Sequence, residues 1–387
     1  MFSPQDALPL PLHPNLDQYK KRAKDLVKAA NNRDPKALEA WAKEWVESLI
    51  QLSNLQIPPT LPVQTTSWID RLTKFTEKEK SSGTFPLSKA QFLLARAHGF
   101  ESWPRLTKHI VAIEQHNSPT KAFEQAAEAI VTGDLVALQS LLTNHPTLPQ
   151  ARSPRQHQAT LLHYIAANGV EGYRQKTPPN AVEIAKLLLD AGADVNATAH
   201  VYGGQATTLA LAATSIHPEQ AGLQQTLIEL LLGRGASLND PTLVTACLAN
   251  GRQQAAKFLA NQCAPLTIES AAGIGDLKKV KSYFDKEGKL TPNATEQQLH
   301  RALLWAGEYG KNEVIEFLLD HGAPLDAHSP DGQTPLHWAV IGGHIDTIQL
   351  LISKGASLEA KNSYGGTPLS QARWCQEHGP KMIDYKK

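Results

Sequence analysis

The segment VEGYRQKTPPNA, residues 170–181, concentrates side chains that could bind a ligand. Arg174 offers a planar guanidinium that can hold a carboxylate or a phosphate through two hydrogen bonds. Glu171 adds a carboxylate, and Tyr173 adds an aromatic face that carries a hydroxyl. A charged pair beside an aromatic ring is typical of a small polar recognition site, provided that the fold leaves these groups in a concave place.

A second polar segment, residues 215–225, carries His217, which can titrate near neutral pH, and Glu219. If the two segments meet, they form one shelf that binds a ligand. In an enzyme or small-molecule receptor built on that shelf, Glu171 or His217 would be the general base and Arg174 the anion anchor. Alternatively, Arg174 pairs with Glu171 or Glu219 and only braces the loops.

Known catalytic motifs are absent from the sequence, which bears on the choice between these alternatives. The sequence contains no G-x-S-x-G, H-E-x-x-H, P-loop or dinucleotide-binding motif. A non-catalytic role is therefore favoured, and no catalytic residue is predicted.

The elements that must position these segments recur every 33 residues. Residues 331–361 contain a turn, a TPLH start, two short helical stretches and a Gly-Ala turn. Gly310 and Gly322 precede Gly343 and Gly355 by 33 residues each. This pattern resembles the ankyrin repeat.

The resemblance implies an all-α solenoid of helix-turn-helix repeats with β-turn fingers. About seven repeats and a truncated last one are expected over residues 119–380. The distance from Thr160 to Thr207 is 47 residues, about 14 more than one period, and the next repeat is also lengthened. Because repeats of this kind stack in register, the two inserts are expected to be neighbours, which is what the shelf requires.

The same resemblance implies a concave groove lined by the residues that precede the glycine at the end of each first helix. It favours a non-catalytic scaffold that binds a protein or peptide partner through the groove, the finger tips and the two-insert shelf. The predicted groove residues are Asn168, Ser215, Asn250, Glu308 and Tyr309, and the predicted finger-tip residues are Tyr202 and Tyr364.

Residues 1–118 lack the full repeat pattern but show helical periodicity at 16–30, 35–50 and 88–99. Within them, ARAHGFESWPRLTKHI spans residues 95–110. The chain thereby resembles bacterial ankyrin-repeat proteins that have a helical N-terminal segment with a GFESWPRL-type motif. The region either caps the first repeat as degenerate helical pairs or forms a separate interaction domain.

Composition limits the remaining classes of function. The chain has 38 Lys and Arg against 37 Asp and Glu, so it lacks the concentrated positive charge that nucleic-acid binding needs. Its three cysteines form no C-x-x-C pair, and no metal site or cofactor is expected. It has neither a signal-peptide pattern nor a run of about 18 apolar residues. We expect a cytoplasmic protein that is a monomer and has no membrane partner.

Overall fold

The computed structural model describes residues 3, 6–11, 13–34, 36–53, 61–80, 83–115 and 117–378. The chain divides into two compact units, residues 1–236 (unit one) and residues 237–387 (unit two). The boundary predicted at residue 118 lies inside unit one, and the observed division lies inside the predicted repeat array. The predicted boundary marks where the sequence repeat begins, whereas the observed division separates groups of residues that contact one another. The two do not test each other, so the predicted domain boundaries stay a prediction.

Unit one begins with five helices, which include those predicted from periodicity. Leu26, Trp45, Leu72 and Leu94 are buried at their centre, and the ring of Trp41 lies 5.2 Å from that of Trp45. None of the helices in the described residues is long and apolar enough to span a membrane. The five helices are α1 (Leu16–Ala30), α2 (Lys36–Ser53), α3 (Leu61–Lys80), α4 (Leu87–Ala97) and α5 (Trp103–Glu114).

Three helical pairs follow in unit one, as the repeat pattern predicts. The finger before the third pair is a two-stranded antiparallel hairpin, in which Tyr202 and Gly203 form the turn with φ angles of 53° and 78°. Two consecutive positive φ angles are typical of a type I′ turn, which matches the strand twist. The elements are α6 (Pro119–Thr132) with α7 (Leu135–Asn144), a 3₁₀ helix (Leu161–Ala166) with α8 (Ala181–Asp190), β1 (Thr198–Val201), β2 (Gly204–Thr207), and α9 (Thr208–Thr214) with α10 (Ile216–Gln220) and α11 (Gln224–Gly233).

The first helix of the second pair differs from the regular repeat because it is a 3₁₀ helix. Ala167 ends it with a φ of 47°, and the carbonyl of Ala167 accepts a hydrogen bond from Ser215 Oγ at 3.3 Å. Asn168 Nδ2 donates to the carbonyl of Leu211 at 3.2 Å. Hydrogen bonds to the next repeat therefore replace the last helical turn.

Among the described residues, unit two contains four further helical pairs and a last single helix, and one apolar core joins the helices between Ile268 and Ser353. In the α18 repeat, His337 accepts from the Thr334 amide through Nδ1, and its Nε2 lies 3.0 Å from the Gly366 carbonyl in the next turn. The TPLH histidine thus joins neighbouring repeats. The elements are α12 (Leu243–Ala249), α13 (Gln253–Asn261), α14 (Ile268–Ile274), α15 (Leu277–Lys281), α16 (Glu296–Glu308), α17 (Asn312–Asp320), α18 (Pro335–Gly342), α19 (Ile345–Ser353) and α20 (Pro368–His378).

The two glycines at the end of α18 have different physical roles. Gly343 ends the helix with a φ of 70°, a left-handed conformation that suits glycine. Gly342 keeps a helical conformation, but a Cβ placed on it would overlap the backbone carbonyl oxygen of Glu308. The close approach of α18 to the end of α16 therefore depends on a missing side chain.

We predict that Gly342→Ala destabilises unit two by about 1–3 kcal/mol, because overpacking forces the backbone to shift. The matched control is Gly233→Ala, since a Cβ at Gly233 meets no atom within 4 Å. That control should be neutral or stabilising by up to about 1 kcal/mol. Hydrogen exchange of peptides from α16 and α18 measures the effect. Equal protection in Gly342→Ala and wild type would contradict the close approach.

Candidate functional site

Two predicted shelf residues lie in a buried ionic cluster formed by Glu124, Arg155, Glu171 and Arg174. Arg155 Nη1 lies 2.5 Å from Glu124 Oε1, and Arg155 Nε lies 3.0 Å from Glu171 Oε1. Arg174 Nη1 lies 2.9 Å from Glu124 Oε2 and 3.5 Å from Glu171 Oε1. Within this set of four, each charge therefore has two partners of opposite sign.

Three separate parts of unit one deliver these four side chains. Glu124 lies on α6, and Arg155 lies in the segment after α7. Glu171 immediately precedes one turn of 3₁₀ helix (Gly172–Arg174), and Arg174 is the last residue of that turn. The backbone amide of Arg174 donates to the carbonyl of Glu171 at 2.8 Å, which fixes the spacing of the two side chains. Glu171 is 0% exposed and Arg155 2% exposed, so solvent hardly screens the cluster.

Charge pairing outweighs burial in the electrostatics of the cluster. Burial by itself would raise the pKa of Glu124, but Arg155 and Arg174 lower that pKa to about 2. Burial likewise raises the pKa of Glu171, whereas Arg155 lowers it. The pKa of Glu171 therefore also lies well below its usual range. Both carboxylates are consequently ionised at neutral pH.

Aromatic rings cover the two arginines. The guanidinium of Arg155 lies 5.3 Å from the ring centroid of Phe100. That of Arg174 lies 5.4 Å from the ring of Tyr173 and 5.9 Å from the ring of Tyr164. The cations keep favourable contacts on the faces that carboxylates do not occupy.

The cluster also fastens the N-terminal helices to the repeats within unit one. The amide of Gln156 donates to the carbonyl of Gly99 at 2.9 Å, and a Cβ on Gly99 would lie 3.5 Å from Cδ of Arg155. The side chain of Arg155 therefore packs against Gly99 and Phe100, the first two residues of the GFESWPRL segment. This supports the capping interpretation of the N-terminal region, which stays a prediction.

The predicted shelf is only partly assembled. Its loops do begin side by side, because Asn168 Nδ2 lies 3.2 Å from Thr214 Oγ1. Within the described residues, however, Arg174 pairs with Glu124, Glu128 and Glu171, and not with Glu219.

The geometry matches the bracing alternative for Arg174 and Glu171. Both side chains face inward, and Glu171 is closed to a substrate that would need it as a base. Tyr173 is half-buried beside Arg174, whereas His217 is half-buried on α10. A ligand-binding role for the shelf stays a prediction that this closure does not favour.

The groove residues of unit one have structural contacts of their own. Ser215 is buried and bonded to Ala167, and Asn168 is half-buried. At the finger tip, the hydroxyl of Tyr202 donates to Asn168 Oδ1, while 65% of Tyr202 is exposed. The tyrosine thus offers its ring to solvent in a fixed position.

The groove residues of unit two form a different environment. Tyr309 stacks on Trp305, with ring centroids 6.0 Å apart and an interplanar angle of 17°, and its hydroxyl donates to the Leu248 carbonyl at 2.5 Å. Burial raises the pKa of Glu308 to about 7. Asn250 is exposed, its side chain bonded to the carbonyl of its own helix at Ala246. Predicted finger-tip residue Tyr364 is 83% exposed in the same unit.

Sequence reasoning missed Arg155 and Glu124, the two central members of the cluster. Arg155 lies in the polar segment RSPRQHQ, which reads as an ordinary loop, and Glu124 follows Phe123 at the start of α6. No local pattern connects two residues 31 positions apart in a repeat array. The one available signal is an insert rich in charge, which needs buried partners if it folds inward.

Comparisons with known proteins agree with the repeat pattern. A family model described as ankyrin repeat matches residues 157–200, and one described as ankyrin repeats (3 copies) matches residues 268–362 and 303–378. The chain contains ankyrin repeats. The matched segments include the repeat that carries Glu171 and Arg174 and the one that carries Glu308 and Tyr309.

Other comparisons add little. No curated protein matches the chain. Among solved structures, the human ASB11 ankyrin repeat domain is similar at 22% sequence identity over 64% of this chain and 90% of that chain, with a TM-score of 0.33. The predicted resemblance of the N-terminal segment to bacterial proteins stays a prediction.

We predict that Glu171→Gln lowers the free energy of unfolding of unit one by about 3 kcal/mol or more, because it leaves two buried arginines with one fewer anion. Hydrogen exchange of peptides from α6 during urea unfolding gives the value. The control is Asp190→Asn, which breaks an exposed pair with Arg234 at 2.7 Å and should change stability by less than about 1 kcal/mol. Similar effects of the two substitutions would show that the cluster does not hold the unit together.

We also predict that unit one loses stability as the pH falls from 6.5 to 4. Burial lowers the pKa of His98 to about 3, and those of His109 and His163 to about 4. The unfolded chain therefore binds more protons in this window, at about 1.4 kcal/mol per pH unit for each histidine. Below pH 4.5 Glu124, with its pKa of about 2, continues the loss.

The slope of unfolding free energy against pH tests this origin. His109→Gln should reduce that slope by about 1.4 kcal/mol per pH unit between pH 6.5 and 4, whatever it does to absolute stability. An unchanged slope in the variant would mean that His109 is not held neutral by burial.

Proposed function

We propose that this chain is a protein-binding scaffold that holds a peptide segment of its partner against the first helices of the repeats in unit two. Ankyrin repeats generally mediate protein–protein interaction. One observation carries the proposal: Glu308 is half-buried, burial alone raises the pKa of its carboxyl, and no described cation offsets that effect. Ionisable groups perturbed in this way concentrate at functional sites.

Aromatic side chains next to Glu308 support a peptide ligand. Trp305 lies one helical turn before Glu308 on α16, so the two share a face, and Tyr309 stacks on Trp305. Trp338 occupies the same repeat position on α18, and its indole Nε1 is buried without an acceptor among the described residues. Tyrosine and tryptophan supply large contact areas that lose little conformational entropy on binding.

The chemistry of this surface favours a partner segment with a basic side chain. A lysine or arginine placed beside Glu308 would supply the missing positive charge in an environment poorer in water than the open surface. Its aliphatic stem and neighbouring apolar residues would pack on Trp305 and Tyr309. We therefore expect the partner to offer an extended or helical segment in which a basic residue lies next to apolar ones.

The finger of the last repeat adds a rigid edge to unit two. Asn362 Oδ1 accepts from the amides of Tyr364 and Gly366 at 3.0 and 2.8 Å, so the turn is fixed by its own hydrogen bonds. Tyr364 is exposed on that turn. Rigid presentation reduces the entropy lost on association, which supports binding by a preformed surface.

Selection from a displayed peptide library tests the proposal directly. We expect peptides enriched on the full chain to contain a basic residue beside apolar ones and to bind at least 10-fold more weakly to Glu308→Lys. The matched control is Glu316→Lys, because Glu316 is exposed on the second helix of the same repeat, α17. Failure to enrich any peptide, or equal loss in both variants, would count against this surface.

A pH titration of the selected peptides gives a second prediction. Since the pKa of Glu308 is about 7, its carboxyl gains negative charge as the pH rises from 6 to 8. Affinity for a basic peptide should therefore rise over that range by about 5- to 10-fold. Glu308→Gln should remove the dependence and leave a weaker, flat profile in isothermal titration calorimetry. A dependence that survives the substitution would assign it to another group.

A further inference from the structure

We propose that the N-terminal helices bind a small organic anion with an apolar body, such as an aromatic or short acyl carboxylate, in a cleft between α3 and α4. This inference is independent of the peptide surface in unit two. The cleft, called the cationic cleft below, encloses about 380 Å³ and is lined by Arg71, Lys74, Phe75, Lys78, Glu79, Phe92, Leu93 and Arg96.

Helical spacing explains why these side chains face one another. Arg71, Lys74, Phe75 and Lys78 lie at positions i, i+3, i+4 and i+7 of α3 and so form one stripe. On α4, Phe92, Leu93 and Arg96 form a second stripe, which lines the same cavity as the α3 residues. The cleft is therefore formed by two regular helices and needs no loop to close it.

Positive charge is in excess around the cleft. Four basic side chains and one acidic side chain line it, a balance of +3. The acid, Glu79, is itself paired with Lys89, whose Nζ lies 2.9 Å from Glu79 Oε2. At one end Arg71 pairs with Asp6. With Asp6, with Glu101 near Arg96 and with Glu79 all counted, four cations still face three acids, and an anion would lower the repulsion among the cations.

Desolvation strengthens the case for an anion at the deeper side of the cleft. Arg96 is half-buried, and burial lowers its pKa, an effect that Glu101 only partly offsets. A group whose charged form is disfavoured by burial gains more from an added counterion than an exposed one does. By contrast Lys74 and Lys78 are exposed at the rim, where their charges can attract an anionic ligand and pair with it once it is bound.

The wall between these cations is apolar. The rings of Phe75 and Phe92 are half-buried, with centroids 6.2 Å apart and an interplanar angle of 31°. Leu93, at 1% exposure, forms the floor. An inorganic anion would leave these rings uncovered, whereas a planar or aliphatic body would bury them.

The dimensions favour a small ligand over a macromolecule. The volume lies at the lower end of the range of about 300–1,000 Å³ that small-molecule sites occupy. Seven residues of helix cover about 10 Å, so the basic stripe is short. A nucleic acid would need a longer basic surface, and the chain as a whole is balanced in charge.

Isothermal titration calorimetry of the full chain with 2-naphthoate tests the proposal. A ligand of this size should bind with a Kd on the order of 0.1–1 mM. The neutral analogue 2-naphthalenemethanol and inorganic phosphate should each bind at least 10-fold more weakly, because each has only one of the two required parts. The absence of any heat of binding up to about 5 mM naphthoate would overturn the proposal. So would an affinity for the neutral analogue or for phosphate that equals the affinity for naphthoate.

Charge-reversal variants locate the site. Lys74→Glu and Lys78→Glu change exposed positions, so the fold should be retained, and each should weaken naphthoate binding at least 10-fold. Lys24→Glu on α1 is the matched control, since Lys24 is an exposed lysine outside the cleft. Unchanged affinity in Lys74→Glu and Lys78→Glu, or the same loss in Lys24→Glu, would show that naphthoate binds elsewhere.

Discussion

The contact of Arg155 with two carboxylates is the interaction on which unit one depends. Taking an ion out of water costs several kcal/mol unless opposite charges replace the solvent. Here Glu124 and Glu171 meet that condition for Arg155, and Arg174 completes the square. Once the four side chains are buried together, the insert, α6 and the segment that carries Arg155 cannot separate without exposing unpaired charges. Glu171 and Arg174, which the sequence predicts to bind a ligand, are thereby part of the protein interior.

Burial has a different effect on a carboxyl according to the charges around it. In the cluster, cations lower the pKa of each carboxyl. At Glu308 burial acts with no cation among the described residues to offset it, and the pKa rises to about 7. The same desolvation thus has opposite outcomes according to whether the fold supplies a counterion. A half-buried carboxyl that lacks one costs stability, so its presence beside stacked aromatic rings points to a partner from outside.

The sequence predicts what depends on local spacing. A period of 33 residues fixes the helical pairs, the TPLH contacts of His337 and the turn at Gly343, because each involves residues close in the chain or one repeat apart. Neighbouring insert loops were also predictable, since repeats stack in register. The burial of Glu171 was not, because it requires Arg155, which follows no period. The 3₁₀ helix before Ala167 likewise depends on a hydrogen bond from Ser215, 48 residues later.

The cationic cleft also depends on packing that the sequence does not predict. The spacing of Arg71, Lys74, Phe75 and Lys78 is visible in the sequence, and alone it describes an ordinary solvated helix face. Only the packing of α4 opposite that face converts the stripe into an enclosed space with an apolar wall. Within the ionic cluster opposite charges neutralise one another, whereas more basic than acidic side chains line the cleft, and that difference is the basis of the proposed anion site. We therefore propose ligands for surfaces where the fold brings together more side chains of one charge than of the other.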